Sequence, residues 1–176
     1  MNTANKLTIF RVVLVPFFVI FMLCDITQHS QLIALIIFIV ATITDHFDGS
    51  IARKYNMVTS FGKFMDPIAD KLLVSSALIC LTSLGKIPAW AVIIIILREF
   101  AVSGIRLVAA DNGSVIAAAG WGKAKTVAQM VMIIIFLVDI PQLHILSQIS
   151  LYTAVILTIV SMIDYIVKNK NVIKFD

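Results

Sequence analysis

The chain has 176 residues, of which 60% are hydrophobic and only 14% are charged. Soluble domains are about half apolar and a quarter charged, so this composition excludes an ordinary soluble domain and indicates a lipid environment. The net charge of +4 requires no nucleic-acid partner, because basic residues at a membrane surface suit anionic lipid headgroups. A spanning helix needs roughly 20 apolar residues, so we expect about six spans in a single membrane domain over residues 1–176.

Six apolar segments follow one another along the chain. Each is predicted to be an α-helix, because lipid leaves the backbone no other partner outside a closed barrel and the period-two alternation of a barrel is missing. The predicted fold class is therefore all-α, an integral membrane bundle of six transmembrane helices. The predicted spans are Leu7–Cys24, Leu32–Arg53, Phe64–Leu84, Pro88–Ala110, Ile116–Ile140 and Ile145–Val167.

Lys and Arg are distributed unevenly between the connections. The connections after the first, third and fifth spans contain a single basic residue, Lys86, whereas the other thirteen Lys and Arg fall on the opposite side. The positive-inside rule then predicts that both termini lie in the cytoplasm.

Charged residues enter several spans at one depth. The second, third and fifth spans each have thirteen uncharged residues on their outer side before Asp45, Lys71 and Lys125, respectively. At about 1.5 Å rise per residue, these charges lie roughly 20 Å below the outer surface. The fourth span adds charges in its middle and inner parts, at Arg98, Glu99 and Arg106. The pattern predicts one polar cavity that opens to the cytoplasm.

Two pairs of aspartates have helical spacing. Asp45 and Asp48 are three residues apart and Asp66 and Asp70 are four apart, so each pair shares a helix face. Neighbouring carboxylates in such a cavity cannot all stay ionised without cations. An all-oxygen donor set without His or Cys selects a hard ion, so we expect Mg²⁺ or Mn²⁺, and two ions suit four carboxylates.

Small residues follow the acids. Gly49 lies one turn after Asp45 and Ala52 one turn after Asp48, which leaves a shallow track for a bulky ligand, and Gly62 could act in the same way on the third span. Helix packing is the alternative explanation for any one of them.

Together these residues form a motif, Asp45-His-Phe-Asp48-Gly49-Ser-Ile-Ala52-Arg53, followed at fixed spacing by Gly62, Asp66 and Asp70. It resembles, position for position, the signature D-x2-D-G-x2-A-R-x8-G-x3-D-x3-D of CDP-alcohol phosphatidyltransferases. The resemblance implies that a CDP-activated lipid binds with its diphosphate on the metals, that an alcohol attacks the lipid-side phosphorus, and that CMP leaves. It also implies a homodimer in the bacterial cytoplasmic (inner) membrane, with the active site facing the cytoplasm.

The same resemblance implies roles for single residues. Asp70 would be the general base, and all four aspartates would hold the metals. The cytidine site would be bordered by Gly49, Ala52 and Gly62, with Arg53 nearby. The first segment, Asn5-Lys-Leu-Thr8-Ile-Phe-Arg11, is similar to one subfamily, although the usual Asn-Ile-Pro-Asn opening is Asn2-Thr3-Ala4-Asn5 here. Its polar residues are candidates for the donor site: Asn5, Thr8 and Arg11.

The fourth and fifth spans indicate the acceptor. Their segments Arg98–Arg106 and Gly122–Thr126 resemble those of family members that make phosphatidylglycerol phosphate. They place four cations near the acids: Arg98, Arg106, Lys123 and Lys125. The phosphate of glycerol 3-phosphate explains these cations, because it accepts charge-assisted hydrogen bonds from Arg and Lys, whereas a neutral or zwitterionic acceptor such as serine or ethanolamine gives little reason for four. We therefore expect CDP-diacylglycerol and glycerol 3-phosphate as substrates. The alternative explanation for some of the cations is that they neutralise the charge of the aspartates or contact lipid headgroups.

Two other functions remain open. The same chemistry with another phosphorylated alcohol, such as inositol phosphate, has the same charge requirement. A cation transporter would also have intramembrane acids, but the repeated halves and broken helices typical of such folds are not visible, and a transporter has no use for the Gly/Ala track.

For a homodimer, Gly85 and Gly104 are possible packing points.

Overall fold

The computed structural model describes residues 3–24, 26–54, 60–111 and 120–170, with side chains for residues 8–24, 26–44, 68–69, 71–109 and 120–170. Within these residues the fold is entirely helical, which confirms the predicted all-α class and the order of six helices. The helices are α1 (Thr3–Leu23), α2 (Ser30–Lys54), α3 (Ser60–Ser83), α4 (Ala89–Asp111), α5 (Gly120–Val138) and α6 (His144–Asn169), with a 3₁₀ turn at Pro141–Leu143 before α6.

The chain forms two compact units, Met1–Lys86 and Ile87–Asp176. In the first unit, α1 packs against both α2 and α3. In the second unit, α6 packs against both α4 and α5. Each unit therefore has one helix that contacts the other two, and the single domain expected from the sequence stays a prediction.

The first unit is held by apolar packing along α1. Phe18 of α1 is fully buried and meets Phe38 of α2, with their ring centroids 6.0 Å apart. Small residues allow the helices to approach, since Ala34 and Ala41 of α2 and Ala77 of α3 have no exposed surface. Close packing of these apolar side chains stabilises the first unit.

A glycine ends α3. Gly85 has φ +69°, a left-handed conformation that costs glycine nothing. Its N–H donates to the carbonyl of Thr82 (2.9 Å) and the N–H of Lys86 donates to that of Leu81 (2.9 Å), which is the Schellman pattern. Gly85, considered above as a packing point, is therefore the residue that closes the helix.

Contacts between side chains give the helix directions in the second unit. Trp90 of α4 meets Tyr152 near the start of α6, with ring centroids 6.4 Å apart, and Arg98 meets Ser161 further along both helices. α4 and α6 therefore run in the same direction. α5 runs the opposite way, as expected for three consecutive spans.

Apolar side chains cover the outside of both units, while several polar ones are inside. Leu107 is 73% exposed and Ile145 is 75% exposed, whereas Arg11, Lys125 and Thr158 are buried. Large exposed apolar faces of this kind mark contact with lipid or a partner. By length and composition, α5 and the stretch Pro141–Asn169 could each cross a membrane, and shorter apolar stretches occur at Thr8–Leu23, Ser30–Thr44 and Lys71–Ser83. The fold is consistent with a membrane protein.

Candidate active site

The four aspartates of the motif lie on two helices of the first unit. Asp45 and Asp48 are within α2, and Asp66 and Asp70 are within α3. The backbone at these positions is α-helical, as the spacing argument requires. The side chains of the aspartates lie outside the described residues, as do those of Asn5, Ala52 and Arg53 and the surroundings of Gly49 and Gly62. The metal site and the cytidine site therefore stay predictions.

α1 buries two polar side chains in the first unit. Thr8 and Arg11, both candidates for the donor site, are 1% and 2% exposed. They are three residues apart and so lie on one side of α1. α1 packs against both helices that carry the aspartates, α2 and α3. The same helix buries the side chains of Thr8 and Arg11.

In the second unit, a buried ion pair joins α4 to α5. Lys125 Nζ contacts Glu99 Oε1, and the lysine side chain is only 2% exposed. The same Glu99 oxygen lies 3.4 Å from Arg98 Nη1. One carboxylate therefore serves two of the four predicted acceptor-binding cations, and Lys125 of α5 meets Glu99 in the middle of α4.

α6 contacts both arginines of α4. Arg98 Nη2 donates a hydrogen bond of 2.5 Å to Ser161 Oγ. Arg106 places its guanidinium carbon 5.7 Å from the centroid of the Tyr165 ring, within the range of a cation–π contact. On the α5 side, a Cβ built at Gly122 would lie 3.7 Å from Arg98 Nη2, so the guanidinium lies against the α5 backbone.

Lys123 is placed differently from the other three cations. It lies two residues before Lys125 on α5, which corresponds to a rotation of about 200° around the helix. Lys125 is accordingly buried and Lys123 is exposed. The structure thus brings Arg98 and Lys125 to one carboxylate, places Arg106 on the neighbouring ring, and leaves Lys123 on the outside of the unit.

Sequence reasoning missed the partners of these cations. It assigned nothing to Ser161 or Tyr165, and it did not pair Glu99 with Lys125. A signal was present, because Thr158, Ser161 and Tyr165 occur at spacings of three and four in an otherwise apolar span and so share one helix face. Asp164 and Lys168, four residues apart on α6, form an ion pair with a distance of 2.7 Å.

The described polar cluster of the second unit has an excess of positive charge. Arg98 and Lys125 share the carboxylate of Glu99, Arg106 contacts the ring of Tyr165, and Asp164 pairs with Lys168. Arg98 Nε and the Tyr165 hydroxyl are buried and have no hydrogen-bond partner among the described residues. Buried polar groups of this kind normally have a partner, so the cluster suits an anionic, hydrogen-bonding ligand.

The sequence profile of one family, CDP-alcohol phosphatidyltransferase, matches residues 1–160 and so extends across both units. The chain belongs to the CDP-alcohol phosphatidyltransferase family. Among its relatives in this family, a CDP-diacylglycerol–glycerol-3-phosphate 3-phosphatidyltransferase of Bacillus subtilis is 44% identical over 98% of this chain and 97% of its own. One of the same name from Haemophilus influenzae is 45% identical over 94% of this chain and 91% of its own. A probable phosphatidylglycerophosphate synthase of Mycobacterium tuberculosis is 42% identical over 95% of this chain and 81% of its own.

Proposed function

We propose that the protein transfers the phosphatidyl group of CDP-diacylglycerol to glycerol 3-phosphate, which gives phosphatidylglycerol phosphate and CMP. The attacking oxygen is a hydroxyl of glycerol 3-phosphate, the new bond joins it to the lipid-side phosphorus, and the bond from that phosphorus to CMP breaks. The reaction belongs to phospholipid biosynthesis. Relatives that match nearly the full length of the chain at 42% to 45% identity have names that state this activity or its product.

The observation that carries the choice of acceptor is the cation cluster of the second unit. Arg98 and Arg106 are held by α6, Lys125 is buried, and Glu99 is the one described carboxylate among them. Two guanidinium groups and an ammonium group repel one another in a poorly solvated setting, and a phosphate dianion relieves that repulsion. A neutral alcohol such as serine would leave the repulsion in place. The cluster therefore favours a phosphorylated acceptor.

The chemistry of the motif supports a divalent metal. Four carboxylates give an all-oxygen donor set, which fits Mg²⁺ or Mn²⁺, and the residues that would hold two ions are Asp45, Asp48, Asp66 and Asp70. When bound, such ions neutralise the charge of a diphosphate. Asp70 is also the proposed general base toward the acceptor hydroxyl. The CDP part of the donor is proposed to be bound by Gly49, Ala52, Arg53 and Gly62, together with Asn5, Thr8 and Arg11 of α1.

We propose six transmembrane helices in the bacterial cytoplasmic membrane, with both termini and the active site on the cytoplasmic side. The charge distribution between connections supports this orientation. Exposed aromatic residues support the boundaries, because Trp90 lies at the start of α4, beside Tyr152 of α6, and Trp121 lies at the start of α5. Lys123, exposed near that inner end, is also suited to anionic headgroups.

A homodimer is proposed on the family resemblance, with Gly104, which has open space around it, as a candidate contact.

The test is CMP release by the purified protein in detergent with CDP-diacylglycerol, Mg²⁺ and one alcohol at a time, with and without EDTA. We expect release only with both metal and glycerol 3-phosphate. Release with inositol phosphate instead would keep the metal chemistry and overturn the acceptor. Release without a divalent ion would overturn the metal site. A folded protein that releases no CMP with any alcohol would overturn the whole proposal.

A further inference from the structure

α6 has one polar stretch on the face that packs inside the second unit. Its buried residues follow spacings of three and four: Ser147, Leu151, Ala154, Thr158, Ser161 and Tyr165. The first part of this face is apolar apart from Ser147, whose hydroxyl donates to the backbone of its own helix at Leu143. The last part is polar, and its side chains reach other helices.

Ser161 makes a hydrogen bond to a charged side chain of another helix. It is 2% exposed, and its hydroxyl accepts from Arg98 Nη2. Serine hydroxyls in helices often turn back to their own backbone, as those of Ser103 and Thr126 do here. The hydrogen bond of Ser161 to a charged partner on α4 instead fixes where the guanidinium of Arg98 lies.

Tyr165 does the same for the second arginine through its ring. The side chain is 2% exposed, and the guanidinium carbon of Arg106 lies over the ring, 5.7 Å from its centroid. Arg106 is otherwise exposed, so this stacking restricts a long side chain that would sample many rotamers. The buried hydroxyl of Tyr165 has no partner among the described residues, which also indicates a polar ligand beside it.

We propose that Ser161 and Tyr165 are positioning residues, which aim Arg98 and Arg106 at the phosphate of the acceptor. The proposal rests on the proposed function, since it assigns these arginines to the acceptor. It gives α6 a role in acceptor binding, although no residue of α6 belongs to the aspartate motif.

The test compares steady-state constants for both substrates in matched variants. Ser161→Ala should raise the KM for glycerol 3-phosphate about tenfold, as for a lost hydrogen bond to a charged group. Tyr165→Leu should raise it about threefold to tenfold, as for a lost cation–π contact. The KM for CDP-diacylglycerol should stay within twofold of the wild type in both, taking twofold as roughly the noise of such mutational comparisons.

Conservative variants and controls separate positioning from packing. Ser161→Thr keeps the hydroxyl and Tyr165→Phe keeps the ring, so each should raise the acceptor KM less than the variant that removes the group. Ser147→Ala makes the same change as Ser161→Ala on the same helix face, and Tyr152→Leu the same change as Tyr165→Leu near the other end of α6. These two controls should leave both KM values unchanged.

Three results would overturn the inference: KM values for both substrates that rise together, an acceptor KM that stays unchanged in Ser161→Ala and Tyr165→Leu, or controls that behave like the test variants. If Ser161→Ala does not fold, Ser161→Thr and Tyr165→Phe take its place. The inference is then overturned if these variants raise the KM for both substrates by the same factor. A wild type that does not use glycerol 3-phosphate would instead overturn the proposed function, so the two failures are distinguishable.

Discussion

Glu99 of α4 is the ion-pair partner of Lys125 of α5, and the lysine is almost completely buried. Two charges inside a helical unit are costly to desolvate, and the attraction between them offsets part of that cost. Removing Glu99 alone takes this carboxylate away from a buried ammonium group, whereas removing both charges leaves no ammonium group there. The pair therefore separates the contribution of Lys125 to stability from its contribution to acceptor binding.

Glu99→Gln should destabilise the second unit by roughly 3 kcal/mol, because Lys125 then lacks its carboxylate. The double variant Glu99→Gln/Lys125→Met should recover most of that stability, while its KM for glycerol 3-phosphate stays high. Thermal unfolding in detergent and steady-state kinetics measure the two effects. A double variant that recovers both stability and acceptor affinity would show that Lys125 has only a structural role.

Lys125→Ala should raise the KM for glycerol 3-phosphate about tenfold or more, because a charge-assisted contact to the phosphate is lost. The KM for CDP-diacylglycerol should change much less. Lys168→Ala is the matched control, since Lys168 is an exposed lysine on α6 that pairs with Asp164. Equal effects of Lys125→Ala on the two substrates would contradict the assignment of this lysine to the acceptor.

Asp66→Ala and Asp70→Ala should each abolish CMP release, because the proposed metals lose a carboxylate ligand and Asp70 is also the proposed base. Both variants should still insert into the membrane and elute as the wild type does from a sizing column. Asp164→Ala removes an aspartate outside the motif and should retain activity. Substantial turnover by Asp66→Ala at ordinary Mg²⁺ concentrations would exclude that residue from the metal site.

Two glycines should respond in opposite directions to the same substitution. Gly85→Ala should destabilise the protein by about 1 kcal/mol, because Gly85 has a left-handed conformation that alanine avoids. Gly104→Ala should stabilise it by up to about 1 kcal/mol, because Gly104 lies inside α4 with nothing within 4 Å of an added Cβ. Thermal unfolding of the two variants side by side measures the difference.

The Gly104 variant also tests the homodimer. If Gly104 is a packing point between two copies, the added methyl group should weaken the dimer, seen as a smaller particle by light scattering of the detergent-solubilised protein. A variant that is more stable and has an unchanged mass would exclude Gly104 from a subunit contact.

The helices were predictable because each apolar run has a length and a composition that lipid requires. Their ends were less so, because hydropathy does not detect polar residues that continue a helix: α1 begins at Thr3 and includes Asn5 and Lys6, one turn before the predicted start at Leu7. Charge alignment predicted charges at one depth of the second, third and fifth spans, and further charges in the middle and inner parts of the fourth. It did not predict which cation meets which partner, because Arg98 and Ser161 are 63 residues apart in the chain.

Lys123 illustrates a different limit. Counting cations near the acids grouped it with Lys125, although a helix turns far enough in two residues to separate their directions. Helical geometry applied to the pair would have favoured one lysine over the other. For the aspartates, the sequence predicts the helical backbone that the structure has, and the arrangement of the carboxylates stays a prediction.

The division of the chain at Lys86 also bears on how the protein is made. The packing of α1 on α2 and α3 uses residues up to Ser83, and the packing of α6 on α4 and α5 uses residues from Ala89 onward. Contacts that are short in sequence form quickly, and a nascent chain emerges with its N-terminal part first. The first three helices can therefore pack together while the ribosome is still translating the last three.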